Sequence, residues 1–99
     1  MTSVIMRTKV LGWADTDFPG TLELALIDAE GAEHRVLEKA AVLTSTDVPG
    51  EGPLPRELWI RGESSETANG RVRVALAYGV ETTDGLAVLD LPIDDVVWL

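Results

Sequence analysis

The chain has 99 residues, 45% of them hydrophobic and 25% charged, with no cysteine and a formal net charge of −9. That length specifies one domain, residues 1–99, since single cores usually span about 100 to 150 residues, and the apolar fraction is that of a folded chain. Without cysteine there are no disulfides, thiolate metal sites, iron–sulfur clusters or thiol nucleophiles, and seventeen acidic against eight basic side chains repel nucleic-acid phosphates and anionic lipid.

Period-two alternation recurs along the chain and sustained helical periodicity does not, which predicts an all-β fold. The first strand is expected over 4–13, with Met6, Thr8 and Val10 on one face and Arg7, Lys9 and Leu11 on the other. "GWADTDFPG" (12–20) then reads as a corner in which Pro19-Gly20 turns the chain. "TLELALI" (21–27) alternates cleanly, with Leu22, Leu24 and Leu26 on one side. "DAEG" (28–31) supplies a hairpin turn in which Asp28 bonds its own backbone and Gly31 takes the positive φ. "AEHRVLEK" (32–39) returns antiparallel, and "AAVLTS" either prolongs that strand or bends away.

Three prolines and two glycines in 46–55 predict a loop. "RELWIRGES" (56–64) resumes alternation, with Leu58 and Ile60 opposed to Trp59 and Arg61, and "SSETANG" is expected to be a polar turn ending at Asn69-Gly70. "RVRVALAY" (71–78) is the clearest strand, placing Val72, Val74, Leu76 and Tyr78 on one face. After an Asp-Gly turn in 81–85, a strand is expected over 86–91. Pro92 ends it, Asp94 caps one short helical turn, and Val97 to Leu99 form a docked last strand. Five to seven short antiparallel strands then form a small barrel, Sm-like or OB-like, or a compact sandwich.

The motifs that would carry chemistry are incomplete. Counting Asp15 as position one, Asp17 and Gly20 fall where a calcium loop needs them, but Pro19 and Leu26 occupy ligand positions and strands flank the segment. His34, the single histidine, reads as an exposed strand residue, and no activated serine or phosphate-cradling loop accompanies it. No metal, cofactor or catalytic residue is therefore assigned, and the chain is not read as an enzyme. Glu23, Glu33 and Glu63 are expected to pair across strands with the strand-borne arginines and lysines. Alternatively, Trp59, Arg61, Arg71 and Arg73 form a basic aromatic face.

The run "FPGTLELALIDAEGAEHRVLEKAAVL", followed by "GVETTDG", is similar to short uncharacterised bacterial proteins with an F-P-G corner, a D-A-x-G turn beside a histidine and an E-K-x-x-V-L strand. That resemblance implies no activity. The ending "LPIDDVVWL" resembles the closing turn and strand of Sm-like and related small barrels, which concerns fold alone.

These readings converge on a protein-binding module, in one version an acidic inhibitor or immunity-type protein that masks a basic surface. Trp13, Asp15, Asp17, Phe18, Trp59 and Arg61 are the expected contact residues, because they combine aromatic anchors with a charged rim. The second reading is a homo-oligomeric assembly subunit, such as a homodimer, built on Leu37, Val42, Leu43 and Trp59. The third is a small ligand-binding or hydrolytic enzyme. No secretion signal or membrane-spanning stretch is read, so the expected location is cytoplasmic.

Overall fold

Alternating side chains of opposite polarity let each strand present one oily and one wet face, and seven such strands form a single curled antiparallel sheet. The computed structural model describes residues 2–15, 20–39, 42 and 57–99. The strands are β1 (Thr2–Asp15), β2 (Thr21–Ile27), β3 (Glu33–Lys39), β4 (Glu57–Ala68), β5 (Arg71–Leu76), β6 (Val88–Pro92) and β7 (Val96–Trp98). They are ordered β3-β2-β1-β4-β5-β6, with β7 also paired to β1. The fold is an all-β half-barrel with two short 3₁₀ turns, Ala77–Gly79 and Ile93–Asp95.

Curling turns the apolar faces inward. Val4, Met6, Leu22, Leu24, Leu26, Val36, Ile60, Val72, Val74 and Leu91 are all but sealed from water, and each such side chain contributes about 1.5–3 kcal/mol relative to exposure. Thr8 shares that interior and donates its hydroxyl to the Leu58 carbonyl at 2.6 Å, so its polar atom is satisfied there.

The turns follow the expected chemistry. Asp28 Oδ1 accepts the backbone N–H of Glu30 at 2.8 Å and of Ala32 at 2.9 Å. Asn69 (φ 55) and Gly70 (φ 76) make the two-residue β4–β5 connection, whose left-handed pair matches strand twist. After Pro92 the 3₁₀ turn Ile93–Asp95 leads into β7, which pairs with Val4, Ile5 and Met6 of β1. The Leu99 N–H donates to the Ser3 carbonyl at 3.1 Å, so the C-terminal residue is docked.

Several expectations need correction. The polar run 64–68 is strand, paired through Ser64, Glu66, Thr67 and Ala68 with β5: the buried Val72 and Val74 of β5 anchor the pairing, and Ser64, the one buried residue of the run, donates its hydroxyl to the Thr2 carbonyl at 3.3 Å. Tyr78 leaves the face of Val72 and Val74: its backbone is left-handed (φ 60) and its side chain is 72% exposed. Asp94 lies inside the 3₁₀ turn, which has no side-chain cap. The loop expected at 46–55 lies outside the described residues, as does all of "AAVLTS" except Val42, which packs on the core.

Gly62 occupies an inward position of β4 opposite Val4. A Cβ there would lie 2.5 Å from Met6 Cε, 2.6 Å from Val74 Cγ1 and 2.7 Å from the Ala75 carbonyl oxygen. Gly62→Ala is expected to destabilise the fold by about 1–3 kcal/mol, read as a lower urea midpoint. An unchanged midpoint would show that the core yields at this point.

Candidate functional site

On the outer face, β1 and β4 place directly opposed residues side by side: Lys9 with Glu57, Arg7 with Trp59, Ile5 with Arg61, and Ser3 with Glu63. Opposed residues in an antiparallel pair lie close enough to interact directly. The Arg7 guanidinium sits over the Trp59 ring, 5.2 Å from its centroid, where the ring's negative face attracts it. Arg7 also approaches Glu57 at 3.9 Å and Asp95 at 4.0 Å, long and exposed contacts that contribute about 0–1 kcal/mol. At the far end of the ladder the Ser3 hydroxyl donates to Glu63 at 3.2 Å.

Beside Arg7 lies a groove of about 290 Å³ lined by Arg7, Thr8, Lys9, Ala25, Ile27, Glu57 and Asp95. Its origin is topological. One edge of β1 pairs with β7 as far as Met6 and with β2 from Lys9 onward, so at Arg7 and Thr8 a notch is left between two neighbours. Ala25 and Ile27 give the notch an apolar floor, and two cations and two carboxylates rim it. Among the described residues no three histidine, aspartate or glutamate side chains are grouped to hold a metal ion.

Trp59 and Arg61 share this outer face, whereas Trp13 does not. The β1–β2 register slips between Val10 and Gly12; Leu11 is the extra residue, and Trp13 comes opposite the buried Leu22. Its ring packs against the core and over Gly20, where an added Cβ would fall 2.6 Å from Trp13 Cζ3. Asp15 is exposed at the end of β1, and Asp17 and Phe18 lie outside the described residues. Arg71 and Arg73 stand opposite Ala68 and Glu66, at the other end of β4 from Trp59, so no basic face gathers around that ring. Of the residues expected at a subunit contact, Leu37 is 45% exposed, Val42 packs against the core, and Leu43 is outside the described set.

Ion pairs engage most of the strand arginines. Arg35 meets Glu23 at 3.3 Å and Glu33 at 2.9 Å, Arg73 meets Asp90 at 2.9 Å and Glu66 at 3.8 Å, and Arg71 meets Glu30. Each such pair gains little by itself in water.

His34 departs most from its expected role. Its side chain is only 12% exposed, with Nε2 2.7 Å from Asp28 and Nδ1 3.3 Å from Asp84. The hydrogen bond to Asp28 raises the His34 pKa, helped by the charge of Asp84 and opposed by burial. The same bond, with backbone N–H donors, lowers that of Asp28. Asp84 is lowered chiefly by the Thr82 hydroxyl. The ring lies on the core-facing side of β3, opposite Leu26.

No protein-family model matches the chain, and neither the curated proteins nor the solved structures compared with it gave a match. The functional reading therefore rests on the chain's own geometry.

A double-mutant cycle with Arg7→Ala and Trp59→Ala is expected to give a coupling of about 0.5–1 kcal/mol in stability; zero coupling would mean the stack does not contribute. Stability should also depend on pH through His34. Because its pKa is raised above 6.5, the stabilisation is complete below that value and is lost as pH rises through the raised one. The depressed aspartates act at the other end, their stabilisation present above the ordinary 3.8 and lost as pH falls. Thermal midpoints across pH 5 to 9 should decline on the alkaline side, and His34→Gln should remove that decline.

Proposed function

We propose that this chain is a non-catalytic protein-binding module that takes a basic, partly apolar segment of another protein on the Arg7–Trp59 face. The observation that carries the proposal is the notch beside Arg7. Its Ala25 and Ile27 floor suits the alkyl stem of a lysine or arginine. Glu57 and Asp95 stand at its rim, held by Arg7 only at 3.9 and 4.0 Å, so both carboxylates retain capacity to accept hydrogen bonds from an arriving cation. The net charge of −9 draws such a partner in and speeds its encounter. Half-buried beneath Arg7, Trp59 is of the residue type that most often anchors an interface.

Arg7 and Lys9 share the rim and repel a purely cationic ligand. A segment that sets apolar residues beside its basic one offsets that repulsion by burying surface on Ile27 and Trp59. An enzyme or toxin with such a surface would be masked by the bound module, which is the inhibitor form of this proposal. The cysteine-free composition suits a reducing cytoplasm.

The test is a titration of the ¹⁵N-labelled protein with two peptides of equal length, one alternating leucine with lysine and arginine, the other alternating leucine with glutamate. Only the basic peptide is expected to shift the Trp59 indole N–H and the amides of Ala25 and Ile27. The effect should weaken between 0.1 M and 1 M salt, as the screening length shortens from about 10 Å to about 3 Å, and should be lost in folded Trp59→Ala. Shifts centred elsewhere, or indifferent to salt, would overturn the assignment.

A further inference from the structure

The two outer strands of the sheet, β3 and β6, are not paired with each other among the described residues. Instead, single bonds from neighbouring loops tie them. The Ala29 N–H of the β2–β3 hairpin donates to the Asp90 carbonyl of β6 at 2.8 Å, and the Thr83 N–H of the β5–β6 loop donates to the Arg35 carbonyl of β3 at 2.8 Å. Arg71 of β5 reaches Glu30 of the hairpin. Between these ties stands His34, touching a carboxylate from each loop.

We propose that His34 is a proton-operated latch on this seam: with a proton on each ring nitrogen it holds both loops, and on losing one proton it keeps Asp28 and releases Asp84.

Stoichiometry carries the first half. A charged imidazolium has two N–H donors, a neutral imidazole only one, and two carboxylates face the ring. The surroundings decide which is kept. Asp28 lies 2.7 Å from Nε2 and is itself held by the N–H groups of Glu30 and Ala32, so it is a fixed acceptor. Asp84 lies 3.3 Å from Nδ1, and its side chain is 57% exposed. The remaining proton therefore stays on Nε2, and the bare Nδ1 lone pair then faces a carboxylate, which repels it.

The segment that moves is defined by its own bonds. Gly85 N–H donates to the Thr82 carbonyl at 2.9 Å, Thr82 N–H to the Leu86 carbonyl at 2.9 Å, and Leu86 N–H to Thr82 Oγ1 at 3.0 Å. The Thr82 hydroxyl also donates to Asp84. The turn is thus a small closed unit with Thr82 buried at its base, and among the described residues its hydrogen-bond ties across the seam are the Thr83 N–H and Asp84. Among the described residues the charged neighbours of His34 are Asp28 from the hairpin and Asp84 from this turn. Glu33 and Arg35, on either side of it along β3, lie on the opposite face, where Arg35 is occupied by Glu23 and Glu33. The upward shift of the His34 pKa agrees with a site that favours the doubly protonated ring.

Two measurements on the full chain test the latch. The single imidazole is followed by ¹H–¹⁵N long-range correlation from pH 5 to 9, and amide exchange of Thr83 and Ala29 is followed over the same range after correction for intrinsic rates. The expected result is a neutral ring protonated at Nε2, with Thr83 protection falling about threefold or more through the titration while Ala29 protection holds. In Asp84→Asn the ring should titrate at a lower pH and Thr83 protection should cease to follow it; in His34→Gln that protection should be flat. A neutral ring protonated at Nδ1, Thr83 protection that ignores the titration, or an equal fall at Ala29 would each overturn the proposal. None of these readouts involves a binding partner, so the latch and the proposed binding face stand or fall separately.

Discussion

Strand β1 is the constraint on which the rest of the molecule depends. Its fourteen residues carry β4 along one edge and both β7 and β2 along the other, so three separate parts of the chain find their register against it. Inward, Val4, Met6 and Thr8 are buried, and Thr8 is tolerated there because Leu58 accepts its hydroxyl proton; an unpaired hydroxyl would cost about 1–3 kcal/mol. Outward, the same strand delivers Ile5, Arg7 and Lys9 to the candidate site. A one-residue slip against β4 would exchange these two sets, so the core and the candidate site are specified by one register.

The alternation that builds this sheet is plain in the sequence, as is the turn chemistry of Asp28, Gly31, Asn69 and Gly70, because those properties are local. What could not be read there depends on an extra residue or a distant partner. Leu11 breaks the period of β1 and sends Trp13 inward; Gly12 in "KVLGWAD" is a local sign of a bulge, but it does not say which residue is the extra one. Trp59 looked like part of a basic cluster with Arg61, Arg71 and Arg73; its actual cation, Arg7, lies on the first strand and meets it only through the β1–β4 pairing. His34 read as an exposed strand residue because neither Asp84, fifty positions away, nor the seam that brings it close is visible from neighbouring residues. The notch floored by Ala25 and Ile27 exists because two strands share one edge of a third, a property of topology alone.

Acid surplus would be expected to loosen so small a fold through self-repulsion. The arrangement of arginines limits this where it matters. Arg35 and Arg73 each sit between two carboxylates, and Arg71 joins β5 to the hairpin tip. These contacts are exposed and individually weak, so their value lies in placement, as they gather at or near the seam where the ladder is missing. The hairpin and the β5–β6 loop also each place one hydrogen bond on an end strand, at Asp90 of β6 and Arg35 of β3, where bare backbone groups invite pairing with another chain.

Sealing a sheet by single bonds instead of a ladder makes the seam the natural place for local opening, since few bonds must break together there. The notch and the seam meet at the end of β2, where Ile27 floors the one and the next residue, Asp28, accepts from His34 in the other. Asp28 is the acceptor that the neutral ring keeps, so loss of the proton leaves the hairpin end, and with it Ile27, in place. The movable partner is Asp84, on a turn that contributes nothing to the notch. The proposed contact face is thereby insulated from the proposed latch by the two backbone N–H groups that fix Asp28, and opening at the seam is confined to the turn at Thr82–Gly85.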